Sequence, residues 1–377
     1  MIKLIKMTAI FILSALAITA VGTYLFMSFH PVFGGKPSKT EKDLYATSAN
    51  YKDGIFVNSI ETNMTMSFKE GIKLLPEYFG KHPGREPQES LPVINLDSTS
   101  IQNSLLQKNT LTWFGHSAFL MTLEGKKVLI DPMFGETPSP VSFLGSKRYS
   151  SRLPLEIEKL PTIDLVLFSH DHYDHLDYHT ILKIKDKVTM FYVPLGLGAH
   201  LKKWGVEEYK IKEFDWWQED IYMDIQLACT PARHFSGRGF SDRFSTLWAS
   251  WVIKTDSTSI YFSGDSGFGP HFKSIGEKYG PFDITMMECG QYNERWDNIH
   301  MMPEETIQAG IDVKANTLMP IHWGAFTLAL HPWQEPVQRA LAEAKKKNVQ
   351  TIVPQIGESF EISAPTSSSP EWWKSIK

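Results

Sequence analysis

The chain has 377 residues and sets 38 Lys+Arg against 42 Asp+Glu, a formal charge of −4. With 42% hydrophobic and 21% charged residues its usage is globular, which excludes a largely disordered chain. The mild acidity excludes the basic footprint expected of a nucleic-acid binder, and the two cysteines, Cys229 and Cys289, exclude a disulfide framework or an all-cysteine metal site while leaving one bridge open.

Lys3 and Lys6 precede an uncharged run from Met7 to Met27. About 21 residues suffice to cross ~30 Å of hydrocarbon as a helix. A cleavable signal peptide has a shorter apolar core of about 7–15 residues. Ala15-Leu16-Ala17 resembles a cleavage site, but the apolar run continues well past it. Residues 1–30 are therefore expected to form an uncleaved single-pass membrane anchor. The Lys pair points to a cytoplasmic start with the rest extracytoplasmic, although Lys36, Lys39 and Lys42 on the far side weigh against that orientation. Residues 31–109 read as a linker and N-terminal extension. They comprise "HPVFGGKPSKTEKD" from His30, a short amphipathic piece around Phe68–Tyr78 and a breaker-rich "KHPGREPQES".

From Thr110 the texture changes to short apolar runs separated by turn signals. Strands are expected at 110–115, 117–123 and 126–131, the last two joined by a Glu124-Gly125 hairpin. Further strands are expected at 164–169, 188–193, 221–229, 247–253, 259–263 and 283–288. Helices are expected at 303–314 and 335–347, each with a proline near its start, Pro303 and Pro336, where the missing N–H costs nothing. This makes 110–362 one large α/β domain, followed by a Ser/Pro-rich, loose tail over 363–377.

The residues that carry chemistry begin where a strand ends. Leu165–Phe168 reads as a buried strand, and "SHDHYDHLD" follows it. His170 and His172, two apart, would face about 200° from each other on a helix, but can face one point in an extended stretch or turn. With Asp174 and His175 they form a corner of metal-ligand types; a solvated His/Asp loop is the plain alternative. Distant partners are needed to complete a site. His234 follows "IQLACTPAR", Asp265 follows "SIYFSG" and His322 follows "TLMPI", each just past a strand-like run, where α/β sheets place their sites.

These segments, "HDHYDH", "PARHFSGR", "FSGDSGF" and "MPIHWG", resemble the metallo-β-lactamase fold superfamily. With "LTWFGHSAF", "DWWQED", "GPFDI" and "HMMPEE", the chain more narrowly resembles the N-acylphosphatidylethanolamine-hydrolysing phospholipase D branch, from about Thr110 to Phe360. The resemblance implies an α/β fold, a four-layer αβ/βα sandwich, here preceded by a transmembrane helix. It also implies two zinc ions, with His170, His172 and His234 holding the first and Asp174, His175 and His322 the second, Asp265 bridging. His300 in "HMMPEE" matches a histidine beside the bound phosphate, while the preceding "ECGQYNERWDNIH" departs from the branch.

The chemistry implied is hydrolysis by a zinc-bridging hydroxide, its parent water acidified from a pKa of ~16 toward ~7. The substrate would be a phospholipid-like ester at a membrane, with Asp174, Tyr173 and His300 as catalytic residues. For Tyr173 a packed aromatic is an equal reading. His116 reads either as an orienting partner of a ligand or as a structural strand-end histidine. Trp216, Trp217, Trp248, Trp251 and Trp323 either line an acyl groove or form core. Arg233, Arg238 and Arg243 either steer an anionic head group or sit in a solvated loop. Two other functions remain open to such a chain: lactone or β-lactam hydrolysis at the same site, and a non-enzymatic, membrane-tethered zinc-binding module. Protein partners are not readable from the sequence.

Overall fold

The computed structural model describes residues 1–64, 71–73, 76–77, 80, 82–97, 109–368 and 371–376. Most of the expected amphipathic piece at 68–78 lies outside them. Helix α1 (Ile2–Phe29) leads, followed by α2 (Lys39–Tyr45), capped by Ser38 and Glu41, and a small hairpin, β1 (Tyr51–Lys52) and β2 (Ile55–Phe56). Strands β3 (Thr110–Trp113), β4 (Phe119–Leu123), β5 (Lys126–Ile130), β6 (Ile163–Leu167), β7 (Val188–Pro194) and β8 (Ile211–Phe214) build the first large sheet. The second contains β9 (Glu219–Tyr222), β10 (Ile225–Thr230), β11 (Ser250–Lys254), β12 (Ser259–Phe262), β13 (Phe282–Glu288) and β14 (Ala315–Ile321). Strand β15 (Ser359–Glu361) returns to the first sheet, antiparallel to β3. Strands β5 to β8 run parallel, as do β12 to β14.

Side-chain alternation assembles the layers. Leu165 and Leu167 of β6 face the space between the sheets, where they meet Trp251, Ile253, Phe262 and Met286. Their neighbours Val166 and Phe168 face outward. There they pack against α3 (Tyr178–Ile184) and α4 (Gly198–Lys203). Val252, Tyr261 and Met287 face the other way from the second sheet, against α5 (His271–Tyr279), α6 (Pro303–Asp312) and α7 (Glu335–Lys347). The chain thus folds as a four-layer αβ/βα sandwich.

Several expectations change. The strand expected at 221–229 is two, because Met223 and Asp224 both take positive φ and turn the chain between Tyr222 and Ile225, which pair. Cys229 and Cys289 are free and buried. The tail ends on a short 3₁₀ turn that buries Trp372 and Trp373 against Trp323. Its Ser/Pro composition hid two large apolar side chains whose burial offsets the cost of ordering it. Segment 30–43 is docked rather than a free linker: Trp204 Nε1 donates to Pro31 O (2.6 Å), Arg238 Nε to Val32 O (3.1 Å), and Gly35 N to His200 Nδ1 (3.1 Å). Helix α1 itself is long and apolar enough to cross a membrane, a property anchors share with signal sequences.

Trp373 is fully buried and Trp217 is 38% exposed. Trp373→Ala should cost about 3–5 kcal/mol, whereas Trp217→Ala should stay within about 0.5 kcal/mol. Urea unfolding midpoints of the two variants in detergent check this; equal midpoints would show the tail to be loose.

Candidate metal centre

The expected site residues converge on one edge of the sandwich. His170, His172, Asp174 and His175 follow β6, His234 follows β10, Asp265 follows β12 and His322 follows β14. Two groups form. In the first, His170 Nε2 lies 2.9 Å from His172 Nδ1, which lies 3.2 Å from His234 Nε2. In the second, Asp174, His175 and His322 meet, with His322 Nε2 3.1 Å from Asp174 Oδ2. Asp265 stands between them: its Oδ2 is 3.1 Å from His175 and His322 and 3.8 and 3.9 Å from His170 and His234.

Close backbone approach makes this convergence possible. His322 N donates to His116 O and His116 N to Trp323 O, both at 3.1 Å, tying two loops together with His116 and His322 at positive φ. Gly290 lies so close that a Cβ there would sit 1.9 Å from His322 O.

An orienting layer surrounds the cluster, and sequence reading found little of it. His175 Nδ1 donates to Asp131 Oδ2 (2.7 Å), and Ser169 N donates to Asp131 Oδ1 (2.7 Å). His234 Nδ1 donates to Ile299 O (2.9 Å). His116 Nε2 donates to Asp174 Oδ2 (2.8 Å), so of its two readings the orienting partner is the one with a contact. Glu288, fully buried, accepts from Ser266 N (2.6 Å) and bonds His300 Nδ1. Asp131 and Glu288 both sit at the ends of apolar strands, in "VLID" and "TMME", the same signal that singled out Asp265.

The remaining candidates divide. His300 lies at the edge of the cluster, its side chain 14% exposed, with a ring nitrogen near His234 and Asp265. Tyr173 donates its hydroxyl to Arg238 O (2.7 Å), and its ring lies 4.0 Å from the Arg238 guanidinium, which is the packed reading. Arg238 is 3% exposed and donates to Asp171 O and Leu176 O, so the solvated-loop reading fails for it. Arg233 donates to Phe268 O and Glu61 O. Trp216, Trp248, Trp251 and Trp323 are core.

A family model described as "Beta-lactamase superfamily domain" matches residues 126–323. An uncharacterized protein of Mycobacterium tuberculosis is 39% identical over 362 residues, 94% of this chain and 96% of its own. The N-acyl-phosphatidylethanolamine-hydrolyzing phospholipase D 1 of Caenorhabditis elegans is 34% identical over 269 residues, 67% of this chain and 75% of its own. The chain belongs to the metallo-β-lactamase superfamily. It is a metal-dependent hydrolase of that superfamily. Among solved structures, the isothiocyanate hydrolase from Delia radicum gut bacteria shares the fold, with a TM-score of 0.53 at 20% identity over 67% of this chain and 98% of that one.

The donor set of this superfamily member fits divalent cations. Bare imidazole nitrogens 2.9–3.2 Å apart repel unless a proton or cation lies among them. His175 Nε2 and Asp265 Oδ1 are buried without a hydrogen-bond partner. Burial, helped by neighbouring imidazoles, pushes His170 and His234 well below the usual histidine range, keeping them neutral and able to ligate. Burial opposes the charges on Asp174 and Asp265, yet His175 beside both, with His322 beside Asp265, outweighs it and holds both carboxylates well below their usual range. Burial also opposes a charge on His322, but Asp265 and Asp174 lift it to about 10. The centre is built around fixed negative charge.

Removing a hydrogen-bond partner of a ligand typically costs 10–100-fold in metal affinity. Asp131→Ala should therefore weaken divalent-metal binding by about that factor, read by titration against a competing chelator. Unchanged affinity would show that His175 is oriented without Asp131.

Proposed function

We propose that this protein is a membrane-anchored zinc phosphodiesterase acting on a phospholipid-like ester. The observation that carries the reading is the pair of three-residue groups sharing Asp265, with His300 at their open edge. His170, His172 and His234 would hold one zinc ion and Asp174, His175 and His322 the other, Asp265 serving both. When bound, two such ions acidify water and draw charge from phosphoryl oxygens. The similarity to the C. elegans phospholipase D supports a lipid phosphodiester over a lactone or β-lactam.

The chain's own residues do the rest. Asp131, His116 and the Ile299 carbonyl fix the orientations of His175, Asp174 and His234. Burial pushes the Glu288 carboxyl up, so it keeps a proton to higher pH than an ordinary glutamate. Where Glu288 carries the proton it donates to His300 Nδ1, which leaves His300 Nε2 as an N–H donor. The His300 side chain is 14% exposed beside His234 and Asp265, where such a donor can meet phosphoryl or leaving-group oxygen as charge develops. Tyr173, its proton committed to Arg238 O, serves packing in this reading. Helix α1 serves as a retained anchor, which keeps the domain at a lipid surface.

Turnover on a panel of a phosphodiester lipid, an aryl phosphodiester, a lactone and a β-lactam tests the substrate class. The phosphodiesters should be hydrolysed and the lactone and β-lactam left; the reverse order would overturn the reading. Loss of one donor of this kind typically costs about 10²–10³ in kcat. His300→Ala should show that fall on phosphodiesters with its zinc content unchanged. Lost zinc would make His300 a ligand, and near-normal turnover would make it structural.

A further inference from the structure

A second feature lies where α1 meets the domain. A cavity of about 860 Å³ opens between the last turns of α1, the docked segment after it, and the loop between β10 and β11. None of its lining residues belongs to the metal centre. One wall is apolar and comes from the helix, with Tyr24 and Met27 on it. Met27 packs beside Gly239, so the helix end and the loop are in contact. Beside Gly239, at the loop tip, Phe240 is 90% exposed.

The other wall is cationic. Lys36, Lys42, Lys203 and Arg243 line it against a single carboxylate, Asp242. The Asp242 oxygens already accept from Arg238 N (3.2 Å) and Gly239 N (2.7 Å). Among the described residues, none of the four cations has an ion-pair partner, although the Arg243 guanidinium lies over the Phe235 and Phe244 rings. Their gathering follows from the docking of the segment after α1. Gly35 lies against Ala199 O and Lys203 Cβ, a place no larger residue could occupy, and its N–H is held by His200. That contact leaves Lys36 and Lys203 both lining the cavity.

We propose that this junction is a binding site for an anionic phospholipid of the surrounding bilayer, its phosphate met by the lysines and its acyl chains laid along α1. The inference rests on α1 being an anchor. Exposed apolar side chains along the helix, Leu16, Ile18 and Tyr24 among them, require hydrocarbon cover, and the cavity's apolar wall continues that surface. The cationic wall then sits at headgroup level, and Phe240 projects from the same rim. Basic side chains next to a membrane helix each contribute about 1 kcal/mol toward anionic lipid, roughly a five-fold preference.

The test uses the full chain extracted in detergent and exchanged into mixed phosphatidylglycerol and phosphatidylcholine. Native mass spectrometry then reads which lipid stays bound. The parent should retain phosphatidylglycerol over phosphatidylcholine, and a Lys36→Gln/Lys203→Gln variant should lose roughly 25-fold of that preference. Its turnover of a short-chain, soluble phosphodiester should be unchanged, which shows that it folds. Equal retention of both lipids by the parent, or an undiminished preference in the variant, would overturn the site. Displacement of the lipid by inorganic phosphate alone would also overturn it, since the acyl contacts would then contribute nothing. Carbonate washing of membranes reads the anchor separately: release of the full chain would remove the anchor reading, whatever the lipid preference.

Discussion

The structure depends on one electrostatic constraint, the enclosure of the largely buried Asp174 and the fully buried Asp265 among imidazoles where the strands end. Ionised carboxylates in such a place cost several kcal/mol each unless opposite charge and hydrogen bonds compensate. Here the compensation is local and directed. His175 and His322 reach both carboxylates, and His116 donates to Asp174. Asp265 Oδ1, left without a hydrogen bond, adds an unmet acceptor at the middle of the group. Such a donor set fits divalent cations, and this is how the fold of a metal-dependent hydrolase is turned toward its chemistry.

Delivering those side chains to one point is the task of the two sheets. Parallel strands β5 and β6 in one, and β12 to β14 in the other, end at the same edge, so residues just past each end converge. This is why strand-end position was the informative signal in the sequence. It marks His234, Asp265 and His322, and it holds equally for Asp131 and Glu288. Ligand-type histidines draw attention, whereas a lone acid after an apolar run looks like any turn residue. What orients each ligand was illegible for another reason: His175 meets Asp131 across 44 positions, and His234 meets a backbone carbonyl, which no side-chain pattern records.

Elements were readable where local chemistry set them. The Glu124-Gly125 hairpin appears as expected, with both residues at positive φ, and α7 spans Glu335–Lys347 with Asn348 left-handed at its end. The turn at Met223-Asp224 has none of the glycine or asparagine that usually marks such a hairpin, so one strand was expected where two form. The docking of the segment after α1 is not legible locally, because Gly and Pro signal a linker while its partners, Trp204, His200 and Arg238, lie more than 160 residues away. Those partners carry a consequence. His200 also reaches Asp171 (3.3 Å), which sits between His170 and His172. A continuous set of contacts therefore joins the segment after α1 to the corner of the centre.

The proposed chemistry rests on two cations sharing Asp265. Anomalous diffraction from crystals of the zinc-loaded protein, collected above and below the zinc absorption edge, tests it most directly. Two peaks are expected, one within ligand distance of His170, His172 and His234 and one within ligand distance of Asp174, His175 and His322, with Asp265 reaching both. A single peak, or two peaks with Asp265 bound to neither, would contradict it.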